Sequence, residues 1–85
     1  MKQYIFESST NPRYTNEKYV GRKCTVTYFH DYEMGMLRAL IDFQTDPSGS
    51  ESWIKTSLIK VAPRTRDGKL VIQTINSQYV LAEIK

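Results

Sequence analysis

Apolar and polar residues alternate with a period of two along most of the chain. Cys24, Val26 and Tyr28 alternate with Thr25, Thr27 and Phe29, and all of these except the cysteine favour extended backbone. The pattern predicts a strand that ends at the turn-forming run His30-Asp31-Tyr32-Glu33-Met34-Gly35. From Met36 to Phe43 the period continues, with Leu37, Ala39, Ile41 and Phe43 on one face and Arg38, Leu40 and Asp42 on the other. Thr45-Asp46-Pro47-Ser48-Gly49 combines a proline at the second turn position with a glycine beyond it, a strong turn signal. A third strand is expected from about Glu51 to Thr56, with Trp53 and Ile54 on opposite faces. Ser57 to Val61 fits either a strand continuation or a short 3₁₀ turn. Pro63 is expected to stop it, and Arg64-Thr65-Arg66-Asp67-Gly68 reads as a basic connection closing on an Asp-Gly turn.

The last two strands form a hairpin. A two-residue turn at Asn76-Ser77 places Ile75 opposite Gln78, Thr74 opposite Tyr79, Ile72 opposite Leu81 and Leu70 opposite Glu83. One face then carries Leu70, Ile72, Thr74, Tyr79 and Leu81. The other carries Val71, Ile75, Val80, Ala82 and Ile84, so both faces are apolar. The expected core is Cys24, Val26, Leu37, Ala39, Ile41, Phe43, Leu70, Ile72, Tyr79 and Leu81.

Residues 1–21 lack this regularity. Ile5-Phe6 is followed by the breaker cluster Ser8-Ser9-Thr10-Asn11-Pro12, then by Tyr14, Tyr19 and a closing Gly21. They read as an N-terminal arm lying on the domain formed by residues 22–85. The whole is all-β: five strands in a small barrel. The SH3-like arrangement is preferred to the oligonucleotide-binding one, because Ser57 to Gly68 contains Pro63 and no amphipathic helical period. Trp53-Ile54-Lys55-Thr56-Ser57 and Leu70-Val71-Ile72-Gln73-Thr74-Ile75-Asn76-Ser77-Gln78-Tyr79-Val80-Leu81 together resemble a pattern in small SH3-like β-barrel proteins of bacteria and phages, of unknown function. The resemblance implies a compact β domain of bacterial or mobile-element origin, and it brings no catalytic residues.

Composition narrows the chemistry. Eighty-five residues with 40% hydrophobic and 25% charged side chains suit one globular domain rather than a disordered chain. No apolar run approaches the roughly 18 residues of a membrane span, and the stretch before Ser8 is too short for the apolar region of a signal peptide. The single cysteine, Cys24, leaves no internal disulfide and no cysteine-cluster metal site, which points to a reducing cytoplasm. Placed among Val26 and Tyr28, it reads as a small core hydrophobe rather than a nucleophile. His30 stands next to Asp31, but neighbours on a strand point to opposite faces, so the pair reads as a solvated loop edge rather than a general base. No phosphate-binding glycine loop or nucleophile elbow occurs. The expectation is a non-catalytic module without cofactor or metal.

Two binding surfaces remain. The outer face of the last hairpin, with Val71, Ile75, Val80, Ala82 and Ile84, is expected to dock a protein partner or a second copy of the chain. The competing cover is the chain's own arm, laid across that face through Tyr4, Ile5 and Phe6. The alternative surface is basic and aromatic: Arg22, Lys23, Arg64, Arg66 and Lys69, with Trp53 as a stacking platform, would suit single-stranded nucleic acid. Twelve basic against nine acidic residues give only +3, a mild footprint for such a ligand.

Overall fold

The computed structural model describes residues 2–43 and 52–84. The expected turn Thr45–Gly49 and the start of the strand at Glu51 lie outside the described residues. The described chain is all-β, with seven strands: β1 (Gln3–Ser9), β2 (Lys23–Asp31), β3 (Met36–Phe43), β4 (Ser52–Lys55), β5 (Ile59–Arg66), β6 (Lys69–Thr74) and β7 (Gln78–Glu83). They form one antiparallel sheet in the order β4-β3-β2-β1-β7-β6-β5. The outermost strands β4 and β5 share no ladder among the described residues, so the sheet is open where a closed five-stranded barrel was expected.

One strand, β1, was not expected and another, β5, only in part, each for a physical reason. Residues 3–9, read as part of an arm, are the middle strand of the seven. Tyr4 and Phe6 are buried there while Gln3 is exposed, a period-two pattern cut short by the breakers after it. β5 begins in the stretch that fitted either a strand continuation or a 3₁₀ turn and runs on through Pro63 and the expected basic connection, as an edge strand on which only Ile59 is buried. An edge strand needs no complete apolar face, and it tolerates a proline where the missing N–H would have faced outward. Irregularities in the pairing with β6, between Ile59 and Val61 and between Val61 and Arg64, fall on either side of Val61, and Pro63 lies within the second.

One sheet can bury a face only by curling around it. Phe6, Ile41, Ile54, Ile72 and Leu81, from β1, β3, β4, β6 and β7, are all fully excluded from solvent on the inner face. Of the expected core, Cys24, Ala39, Ile41, Phe43, Leu70, Ile72, Tyr79 and Leu81 are buried, and Val26 and Leu37 pack against them half-buried. The turn from β4 to β5 is held by the fully buried Thr56. Its N–H donates to the Ala39 carbonyl (2.9 Å) and its hydroxyl accepts from the Ala39 N–H (3.0 Å), so its polar atoms are satisfied inside. Residues 10–22 close one end of the curl. Asn11 caps a 3₁₀ turn over Pro12–Tyr14, and Tyr14 and Tyr19 meet edge to face at 5.2 Å. From there Tyr19 reaches Phe43 at 5.4 Å and Tyr14 reaches Tyr79 at 6.4 Å.

The final hairpin corrects the expected register. Ile72 pairs with Tyr79 and Leu70 with Leu81, a slip of two residues from the two-residue-turn arrangement. The turn is Thr74 to Ser77, closed by the Thr74 N–H on the Ser77 carbonyl (2.8 Å). The Thr74 hydroxyl accepts from the Ser77 N–H (3.0 Å) and fixes the shifted turn, with Ile75 and Asn76 at its tip. A slip of two preserves every face, which is why the inner and outer sets come out as expected.

Ile72 and Val71 distinguish this register from its neighbour. Ile72→Ala should cost about 2–5 kcal/mol in urea unfolding, and Val71→Ala, on the half-buried outer face, about 1 kcal/mol or less. The reverse ranking would place Val71 inside.

Candidate functional site

The residues singled out from the sequence fall on the outer face of the sheet, with one exception. Arg22 precedes β2 and lays its guanidinium 5.4 Å from the Phe43 ring centroid, over the core end; its Nη1 donates to the Lys18 carbonyl (3.0 Å). It belongs to the closure of the curl. Strand pairing brings the others into rows. Arg66 stands opposite Lys69, Lys69 opposite Ala82, Ala82 opposite Ile5 and Ile5 opposite Lys23. In the next row Arg64 stands opposite Val71, Val71 opposite Val80 and Val80 opposite Ser8.

The outer face of the last hairpin is less open than the sequence implied. Val71, Val80 and Ala82 are half-buried, whereas Ile75 and Ile84 are exposed at 57% and 36%. The arm does not lie across this face; β1 joins the sheet beside β7, so Phe6 goes inward while Ile5 stays outward. The pairing of β1 with β7 shifts by one residue between Phe6 and Ser8, leaving Glu7 as the extra residue of a bulge. Glu7 receives the Lys69 ammonium at 2.9 Å. Because β7 runs between β1 and β6, this ion pair reaches across β7 from Lys69, opposite Ala82, to Glu7, between the residues paired with Leu81 and Val80. Both partners are partly solvated, so the bridge contributes little to stability and shields the strand at small cost.

What remains open beside it is a groove of about 310 Å³ along β5 and β6, lined by Val61, Ala62, Arg64, Arg66, Val71 and Gln73. It joins Val71, expected in a protein interface, to Arg64 and Arg66, expected to meet phosphate. Neither arginine enters an ion pair among the described residues. Val61 and Ala62 were not anticipated. Their signal was an apolar pair just before Pro63, where the chain was expected to stop, and they line the groove because the strand continues through it.

Trp53 occupies a separate place. A groove of about 360 Å³ on the outer face of β2, β3 and β4 is lined by Phe29, Leu40, Asp42, Trp53 and Lys55, and Trp53 is 61% exposed. Among the described residues the two grooves share none. Leu40, an apolar residue between Arg38 and Asp42 on the solvent side of its strand, was the sequence mark of this one.

Two of the remaining chemical candidates, Asp31 and Cys24, are engaged in the structure. Asp31 takes Arg38 rather than His30 as its partner, accepting from Arg38 Nε at 2.9 Å and from the Glu33 and Met34 amides at 3.2 Å. The Arg38 hydrogen bond, with those amides, holds its carboxyl below the usual aspartate range. His30 lies 6.4 Å from the Tyr32 ring. Cys24 is buried, and desolvation pushes its thiol up to about 12. Among the described residues no cluster of three or more His, Cys, Asp or Glu side chains could hold a metal ion, and no helix is long and apolar enough to cross a membrane.

Compared with known protein families, curated proteins and solved structures, the chain matches none.

The burial of Cys24 makes a direct prediction, since the thiolate is the reactive form. At pH 8 the native protein should leave an aromatic disulfide reagent unreacted, and denaturant should release one thiol per chain. Prompt reaction without denaturant would remove Cys24 from the core.

Proposed function

We propose that the protein is a non-catalytic binding module that engages a partner protein through the β5–β6 groove. The observation that carries this reading is the meeting of Val61, Ala62 and Val71 with Arg64 and Arg66 in one surface depression. An apolar floor supplies the water-excluding centre of an interface, and arginines at its wall are the cations best suited to planar carboxylates. The fitting partner segment is extended and acidic with apolar side chains between its carboxylates. A second copy of the chain is the simplest partner of the sequence reading, and it is retained as an outcome of the test. The SH3-like character of the fold belongs with this proposal: the run of sequential antiparallel strands and the curl around one core support it.

The second reading, a nucleic-acid module, draws on the same arginines. Three observations weigh against it. Lys69 is engaged by Glu7, Arg22 is spent over Phe43, and Trp53 lies in the other groove beside a carboxylate. Phosphate contacts would then rest mainly on Lys23, Arg64 and Arg66.

Amide chemical-shift mapping of the intact protein separates the readings. With an acetylated Glu-Leu-Glu-Leu-Glu peptide, saturable shifts should be confined to β5 and β6. Arg64→Glu with Arg66→Glu should weaken them by about tenfold or more while the circular dichroism spectrum stays unchanged. Shifts that respond instead to oligothymidylate, with affinity falling steeply as salt rises, would replace this reading by the second one. Concentration-dependent light scattering without any peptide, abolished by Val71→Asp, would make the partner a second copy.

A further inference from the structure

The groove on β2, β3 and β4 is lined by apolar, acidic and basic side chains. In the ladder Leu40 stands opposite Lys55, and Asp42 stands opposite Trp53. Lys55 carries its ammonium to 5.6 Å from the Phe29 ring centroid. Phe29 is opposite Arg38 in the β2–β3 ladder, so Lys55 leans along β3 away from Asp42. Asp42 is left directly across from Trp53, exposed, and in no ion pair among the described residues.

An exposed indole and an unpaired carboxylate side by side select for charge. The indole face is the best of the aromatic platforms for a cation, and directly opposed residues on one face of a sheet stand within about 4.5–5.5 Å at their Cβ atoms. A guest resting on Trp53 therefore lies within reach of Asp42. A phosphate or carboxylate there would meet repulsion, whereas a guanidinium would stack on the ring and pair with the carboxylate through its planar fork. Leu40, next along β3 on the same face, offers an apolar surface for the methylene stem of the same side chain.

We propose that Trp53 and Asp42 form a receptor for an arginine side chain presented by a partner protein, with Leu40 supporting its stem. This contact goes beyond the reading given for the β5–β6 groove and shares none of its described residues, so either can fail while the other stands. It also assigns the two grooves opposite preferences, one for acidic and one for basic side chains.

Trp53 is the single tryptophan of the chain, so its fluorescence reports this site alone. The intact protein is titrated with an acetylated Ala-Leu-Arg-Leu-Ala peptide amide and with the same peptide carrying citrulline, the neutral isostere of arginine. The arginine peptide should give a saturable emission change. Affinity should fall about tenfold for the citrulline peptide and for the Asp42→Asn variant, the loss expected of a cation contact of this type. Equal affinity for the two peptides, no saturable change, or undiminished binding by folded Asp42→Asn would each overturn the proposal. So would a stronger response to oligothymidylate than to the arginine peptide. Should Asp42→Asn fail to fold, the comparison of the two peptides on the unaltered protein decides the matter.

Discussion

The fold depends on the pairing of β1 with both of its neighbours. β2, β3 and β4 form one sequential meander and β5, β6 and β7 another, and β1 supplies the ladder that connects them. On one side Gln3, Tyr4 and Ile5 pair with Thr25, Cys24 and Lys23. On the other, Tyr4 to Ser9 pair along β7. Phe6 performs the same bridging in the core, meeting Phe43 of the first meander at 5.4 Å and Tyr79 of the second at 6.3 Å. Just before β2 begins, the Phe6 backbone is still satisfied, its N–H donating to the Arg22 carbonyl and its carbonyl accepting from the Gly21 N–H. The beginning and end of the chain are thus brought together within one ladder, a pairing whose loop-closure entropy must be met before its contacts stabilise anything.

This dependence explains what could be read from the sequence and what could not. The meander β2–β3 and the hairpin β6–β7 were legible because their contacts are local and their faces alternate. Even the misplaced turn in the last hairpin did little harm, since a slip of two returns the same residues to the same face. β1 was not legible as a central strand. Its alternation around Tyr4 and Phe6 spans too few residues, and its partners lie far away in the chain, where no local pattern points. β5 failed differently: an edge strand carrying Pro63, Arg64 and Arg66 has the composition of a loop, because protection of a sheet edge calls for those same residues.

The candidate sites follow the same division. The inner face was found by counting apolar positions, and the outer face is informative where apolar residues appear on it against the pattern. Leu40 and Val71 are such residues, and each turned out to lie in a groove. What the sequence could not supply was the grouping. Val71 joined Arg64 and Arg66 only because β5 is a strand, while Trp53 parted from those arginines because β4 and β5 lie on opposite sides of β1 in the sheet. The Lys69–Glu7 bridge across β7 depends on the bulge at Glu7, a feature of pairing rather than of composition.

Native-state hydrogen exchange at residue resolution, on the intact chain, tests the central role of β1 most directly. If β1 splices the two meanders, the ladder amides of Tyr4, Ile5 and Phe6 open only when the whole protein unfolds. Their opening free energy should then equal that of Ile72 and Leu81 and respond to denaturant with the same steep slope. Exchange of the β1 amides through a local opening, with β2–β3 and β6–β7 still fully protected, would make β1 an appendage and contradict the account.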